Sequence, residues 1–139
     1  MSDVYSKLKF RPLNKEDYKT LCKWWKWWRW TPVEQESLPN NGTGGFMVYN
    51  DNVEICAGFI YTTNSNLCHI EWLVSNYEVK DKKIRTEAVE LLINTLIALG
   101  KNLGYKIAFT YLLNKNLENK FKNCGFVHSS NPVELIKKI

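Results

Sequence analysis

The stretch "CHIEWLV", residues 68–74, sets one carboxylate, Glu71, in an otherwise apolar run. The run reads as a strand, and desolvation on an apolar strand raises a carboxyl pKa by disfavouring the ionised form. A carboxylate tuned in this way suits a general base that relays a proton through water. His69 shares the Glu71 face by the period-two alternation of a strand and could assist. The competing reading is a glutamate on the solvent side or paired with a lysine, beside a histidine that is simply hydrogen-bonded. Tyr111, in "KIAFTYLL", adds a phenol on the next candidate strand. The four cysteines, Cys22, Cys56, Cys68 and Cys124, lie far apart without a CxxC pair, and the chain has only two histidines. That pattern argues against a metal site and fits reduced thiols in a cytoplasm.

Aromatic chemistry is concentrated in "CKWWKWWRW", Cys22 to Trp30, where five tryptophans alternate with lysine and arginine. At roughly 100° per residue, Tyr18, Leu21, Trp24, Trp25 and Trp28 fall on one broad side of a helix, with Trp27 at its edge. Lys19, Lys23 and Lys26 lie opposite. Tyr18, Leu21, Trp24 and Trp28 are expected in the core. Trp25, Trp27 and Trp30 are the candidates for a flat aromatic wall against a substrate or partner. Insertion into a membrane would require this helix to abandon its core. Stacking on single-stranded nucleic acid would need aromatics on the lysine side, where only Trp30 lies. Both roles are disfavoured.

These residues need elements to hold them. "SKLKFRPL" alternates as a first strand over about Lys7 to Arg11, and Asn14 offers a cap to a helix running to about Trp28. "VEQESLPNNGTGG" reads as short irregular or helical structure. "GFMVYN", "VEICAGFIYTT" and "LCHIEWLVSN" follow as three antiparallel strands joined by "NDN" and "NSN" turns. The longest periodic stretch is "KDKKIRTEAVELLINTLIALGKNLGY", with Asp81 as its cap and Gly104 as its stop. "KIAFTYLL" reads as a buried strand, "KNLENKFKNC" as a short helix, and "GFVHS" and "VELIKKI" as two closing strands around "SNP". A meander followed by a βαβ crossover implies an α+β, mixed α/β architecture with helices on the faces of its sheet.

At 139 residues, with 45% hydrophobic and 24% charged side chains, the chain suits one domain over 1–139 that folds without staples. No run approaches the ~20 apolar residues of a membrane-spanning helix. "MSDVYSKLKF" lacks the layout of a signal peptide, so the expected location is cytoplasmic. The net charge of +5 is compatible with a nucleic acid, an acidic protein or a phosphate-bearing cofactor, and selects none of them.

The element order, "IEWLVSN" leading into the long helix, and "FTYLLNKNLENKFKNCGF" together resemble the GNAT superfamily of N-acetyltransferases over essentially the whole chain. The short length and aromatic first helix are also similar to GNAT-like proteins of bacteriophages. The resemblance implies a mixed, mostly antiparallel sheet of about six or seven strands. It also implies a V-shaped opening between the strand at 67–76 and that at 106–113. The pantetheine arm of acetyl-CoA would lie there against the backbone of Leu73, Val74 and Ser75, with an N–H near Val74 polarising the thioester carbonyl. Glu71 would then be the base for an amine acceptor, protein or small molecule. Asn114 would bond the cofactor or cap the following helix.

Two departures from the family pattern bear on function. The family's Q/R-x-x-G-x-G/A pyrophosphate loop corresponds to "IRTEAV", with Ile84, Glu87 and Val89 at the signature positions. Phosphate binding would then fall to basic side chains, Lys82, Lys83 and Arg85 together with Lys80, whose ordinary reading is a solvated charge run. The family's tyrosine acid corresponds to Phe121, which carries no proton, leaving Tyr111 as the substitute. The leading expectation is acetyl transfer from acetyl-CoA to an amine. The alternative is a catalytically silent GNAT-fold protein that contacts a host protein. A homodimer through the terminal strands or the tryptophan rim is compatible with either.

Overall fold

The computed structural model describes residues 7–112, 114–129 and 133–139. Strands β1 (Leu8–Pro12), β2 (Gly45–Asn50), β3 (Val53–Tyr61), β4 (Leu67–Ser75) and β5 (Ile107–Phe109) form one sheet in that order. The first four pair antiparallel with their neighbours, and β5 joins β4 in parallel. A parallel neighbour requires a crossover, which helix α2 (Lys82–Asn102) supplies. Helix α1 (Asp17–Trp27) follows β1, and helix α3 (Lys115–Asn123) follows β5. Two short 3₁₀ turns, Gln35–Ser37 and Pro39–Gly42, occupy the irregular stretch before β2. The mixed, mostly antiparallel sheet flanked by helices is the expected class.

The strand count is lower than expected. Five strands form among the described residues, not six or seven, and β5 takes three residues of the eight in "KIAFTYLL". Neither 125–129 nor 133–139 forms a strand, and the turn expected at 130–132 lies outside the described residues. Val133, Leu135 and Ile136 are 81–95% exposed. Their alternation and β-branching favour an extended chain, but a strand is completed by ladder partners that these residues lack.

The sheet separates two apolar layers. On one side Leu21, Trp24 and Trp25 of α1 pack on Met47, Ala57, Phe59 and Val74. On the other, Ala88, Val89, Leu92, Ile93 and Leu96 of α2, with Phe121 of α3, cover Val48, Cys56, Ile60, Cys68, Ile70 and Leu73. Two strands approach closely at Gly45, where a Cβ would run into the Gly58 carbonyl oxygen. Asn14 and Asp17 cap the start of α1 reciprocally. The Asp17 N–H donates to Asn14 Oδ1 (3.1 Å), and the Asn14 N–H donates to Asp17 Oδ2 (2.8 Å).

The tryptophan helix corrects one expectation. Trp25, expected at the rim, is 1% exposed, whereas Trp28, expected in the core, is 36% exposed. The buried stripe Asp17, Leu21, Trp24 and Trp25 follows i, i+4, i+7, i+8 spacing, so the axis presents Trp25 to the sheet. Trp28 sits just past the last helical turn. Arg29 then takes φ +64°, and the Trp30 N–H bonds back to the Trp25 carbonyl, which turns the chain away. Trp27 and Trp30 are exposed.

Candidate functional site

The site begins where β4 and β5 part. They pair only at Leu67↔Ile107, Cys68↔Ala108 and His69↔Phe109, after which β4 continues for six residues without a β5 partner. Its other edge stays on β3 through Ala57↔Val74 and Cys56↔Ser75. The Asn76 N–H donates to the Ile55 carbonyl (2.7 Å). Alternation along an antiparallel strand therefore turns the N–H and C=O of Ser75, and those of Leu73, toward the side that β5 has left. Val74, paired with Ala57, turns its own amide to β3, so its N–H does not face the split.

A β-bulge shapes this edge. Between Phe59↔Glu71 and Ala57↔Val74, β3 advances two residues and β4 three. The extra residue is Trp72, with φ +63°, a strained conformation for so bulky a side chain. Its indole N–H donates to Tyr61 Oη (2.8 Å), and the Tyr61 hydroxyl donates to the Ser37 carbonyl (2.8 Å). Gly58 faces the bulge from β3, where a Cβ would lie 2.8 Å from the Leu73 side chain. The bulge resets the alternation. Leu73 packs toward α2 and Val74 toward α1, while Glu71 keeps the α1 side with its pair Phe59.

Glu71 is half-buried, and its Oε1 is buried without a hydrogen-bond partner. Burial pushes its carboxyl up to about 7; the Tyr111 backbone N–H pulls it down, and the Glu134 charge adds to the rise. A carboxylate in this state exchanges protons near neutrality. His69, on the same face, packs on Phe109 at a tilt of 48° with ring centroids 3.9 Å apart, and burial lowers its pKa, favouring the neutral ring. The exposed Tyr111 ring lies 6.3 Å from His69 and 5.9 Å from Phe109. Glu71, His69 and Tyr111 thus converge beside the split.

The tryptophan rim borders the far end of the split. The Trp28 indole N–H donates to the Ser75 carbonyl (2.9 Å), one of the backbone groups turned out of the sheet. Trp27 stacks on Tyr77 (4.8 Å, 3°), with Lys80 Nζ 5.9 Å from the Trp27 ring. Nothing in the sequence marked Trp28 for this contact, because its acceptor is a main-chain oxygen. Trp25 and the remaining core tryptophan, Trp24, are buried in the α1 core with Phe59 and Val74.

The other candidates lie apart from Glu71. Lys82, Lys83 and Arg85 stand on the first turns of α2, capped by the Asp81 side chain. Asn114 caps α3, with Oδ1 accepting from the N–H groups of Asn116 (2.8 Å) and Leu117 (3.1 Å). Phe121 is a core ring, edge-on to Phe126 at 5.0 Å. Cys124 is a free thiol whose pKa burial raises, which suits packing. No group of three metal-ligating side chains forms among the described residues, nor is any described helix long and apolar enough to cross a membrane.

No protein-family profile and no curated protein matches the chain. Solved structures do. N-acetylglutamate synthase from Neisseria gonorrhoeae, complexed with coenzyme A and L-arginine, aligns at TM-score 0.70 and 17% identity over 88% of this chain, which spans 28% of that longer chain. An aminoglycoside acetyltransferase from an uncultured soil metagenomic sample, in complex with trehalose, aligns at TM-score 0.67 and 13% identity, covering 96% of this chain and 97% of that one. A GNAT family acetyltransferase from Staphylococcus aureus aligns at TM-score 0.60 and 17% identity, over 96% and 99%. At these identities the likeness establishes architecture, and the architecture is the GNAT acetyltransferase fold.

Proposed function

We propose that this chain is an N-acetyltransferase, moving an acetyl group from a pantetheine thioester, acetyl-CoA in the simplest case, to an amine on a protein or small molecule. The observation that carries the reading is the parting of β4 from β5 beside a carboxylate raised to about 7. The backbone of Leu73 and the N–H of Ser75, turned away from β3, offer strand-like pairing to the amides of an extended arm, which leaves specificity to side chains around it. When bound there, the thioester would supply the electrophilic carbonyl.

In this reading Glu71 takes the proton of the acceptor amine through water, at the pH where half of it is ionised. Tyr111 is the acid for the departing thiolate, in place of the phenol that Phe121 lacks. His69, held neutral against Phe109, orients the water. Trp27 and Trp30 wall the acceptor side. A cytoplasmic setting with reduced thiols agrees with four free cysteines.

A second reading, a catalytically silent binding protein that contacts a host protein in a bacteriophage setting, is favoured by one specific contact. The Trp28 indole already holds the Ser75 carbonyl that an arm would use. Thiol release from acetyl-CoA or S-acetylpantetheine in the presence of an amine panel separates the two. The transferase reading expects amine-dependent release; with both donors at millimolar concentration, release no faster than in buffer would end it.

A further inference from the structure

Resting on the pantetheine-arm reading above, we infer that the donor is gripped by its arm alone, and that the start of α2 does not hold a nucleotide diphosphate. The donor class is therefore a pantetheine thioester whose nucleotide is dispensable, so that the same arm could equally be presented by a carrier protein.

The connection from β4 to α2 has used five of its amides internally, those of Glu78, Val79, Lys83, Ile84 and Arg85. The Glu78 N–H donates to Asn76 Oδ1 (2.9 Å), and the Val79 N–H to the Asn76 carbonyl (3.2 Å). The Lys83 and Ile84 N–H groups both donate to Asp81 Oδ1 (2.9 and 3.2 Å), and the Arg85 N–H closes on the Asp81 carbonyl (3.1 Å). A helix N-terminus binds phosphate because its first N–H groups lack partners and its dipole favours negative charge. Here the chain's own Asp81 carboxylate takes the N–H groups of Lys83 and Ile84 and places negative charge at the helix start.

A second negative group lies one turn further in. Both carboxylate oxygens of Glu87 are buried without a hydrogen-bond partner. Ile84 and Val89, flanking it, pack against the α2 side of the core and cannot yield space without unpacking it. A diphosphate approaching this turn would meet the Asp81 carboxylate already seated on two helix amides, with the buried Glu87 behind it. Lys80 and Lys82, both exposed, can attract anions from solvent, but exposed charges give salt-screened attraction and no fixed cradle.

The test compares acetyl-CoA with S-acetylpantetheine, which lacks the nucleotide, on the intact chain. Their kcat/KM values should agree within about tenfold, whereas a larger preference for acetyl-CoA overturns the inference. A readout independent of turnover is calorimetry with adenosine 3′,5′-bisphosphate at millimolar concentration, where no saturable binding is expected and a dissociation constant below about 0.1 mM overturns the inference. The double variant Asp81→Asn, Glu87→Gln keeps a capping side chain and removes both charges. It should bind coenzyme A at least about fivefold more tightly with S-acetylpantetheine unchanged, and an unchanged coenzyme A affinity would contradict the exclusion argument. Should neither donor be turned over, the transferase reading fails, while the two binding measurements still decide whether α2 takes a nucleotide.

Discussion

Glu71→Gln removes the titrating group at the split and keeps its shape. With the carboxyl at about 7, roughly half the molecules carry the base at pH 7. About nine in ten carry it at pH 8 and about one in ten at pH 6. The contribution of the base to kcat/KM should therefore fall about tenfold between pH 8 and pH 6. An ordinary glutamate, near about 4.3, would stay ionised across that window and impose no slope. The acceptor amine titrates as well, so the informative quantity is the ratio of wild-type to variant kcat/KM at each pH, with one donor and one acceptor. We expect a ratio of at least about tenfold at pH 8 that shrinks about tenfold by pH 6. A ratio flat from pH 6 to 8, or a variant as fast as the wild type, removes Glu71 from the chemistry. Stability supplies a parallel check. Because the folded pKa lies above the unfolded one, the group's contribution to stability is full below the unfolded value and is lost as pH rises through about 7. The urea midpoint of Glu71→Gln should accordingly gain on the wild type between pH 5 and pH 8.

Arg11 bonds Asp17 twice (2.8 and 3.0 Å) and Glu54 once (2.7 Å), with Asp17 almost fully buried. Arg11→Met should cost about 2–4 kcal/mol in urea unfolding, because it strands a buried carboxylate. Burial pushes the Asp17 carboxyl up, but the Arg11 guanidinium and the Asn14 N–H outweigh it and hold the group below its usual range. That contribution is present above the ordinary carboxylate pKa and is lost as pH falls through the lowered one, so the cost of Arg11→Met should shrink in acid. Gly45→Ala should destabilise the fold by more than about 3 kcal/mol, because backbone, not a flexible side chain, blocks its Cβ; a cost below 1 kcal/mol would refute the close approach. Trp28→Phe frees the Ser75 carbonyl and should lower the donor KM about fivefold, the worth of one hydrogen bond. A raised KM would instead assign Trp28 to the donor's own binding surface.

Much of this protein was legible as local chemistry. The Asp81 cap and the Gly104 stop define α2 because both act through groups a few residues away, and the cap at Asn114 works the same way. The apolar setting of Glu71 was readable for a similar reason, since strand alternation places it on the α1 side with Phe59 and His69. Three features were not readable: the early end of β5, the left-handed Trp72 with its bulge, and the Trp28 bond to Ser75. Each depends on which backbone groups meet across the sheet, and a backbone amide leaves no mark on residue type. The strands expected at 125–129 and 133–139 failed for a related reason, as alternation describes a chain able to pair and says nothing of an edge to receive it.

Side-chain order alone determined where helices start and stop, which strands run consecutively, and that one carboxylate would lie against apolar neighbours, because these follow from periodicity and capping within a few residues. Only the assembled sheet decided that β4 outruns β5 and that Trp25 is buried while Trp28 reaches the gap. Those outcomes belong to main-chain hydrogen bonds and to the tilt of a helix on a sheet, which exist only once distant segments have met.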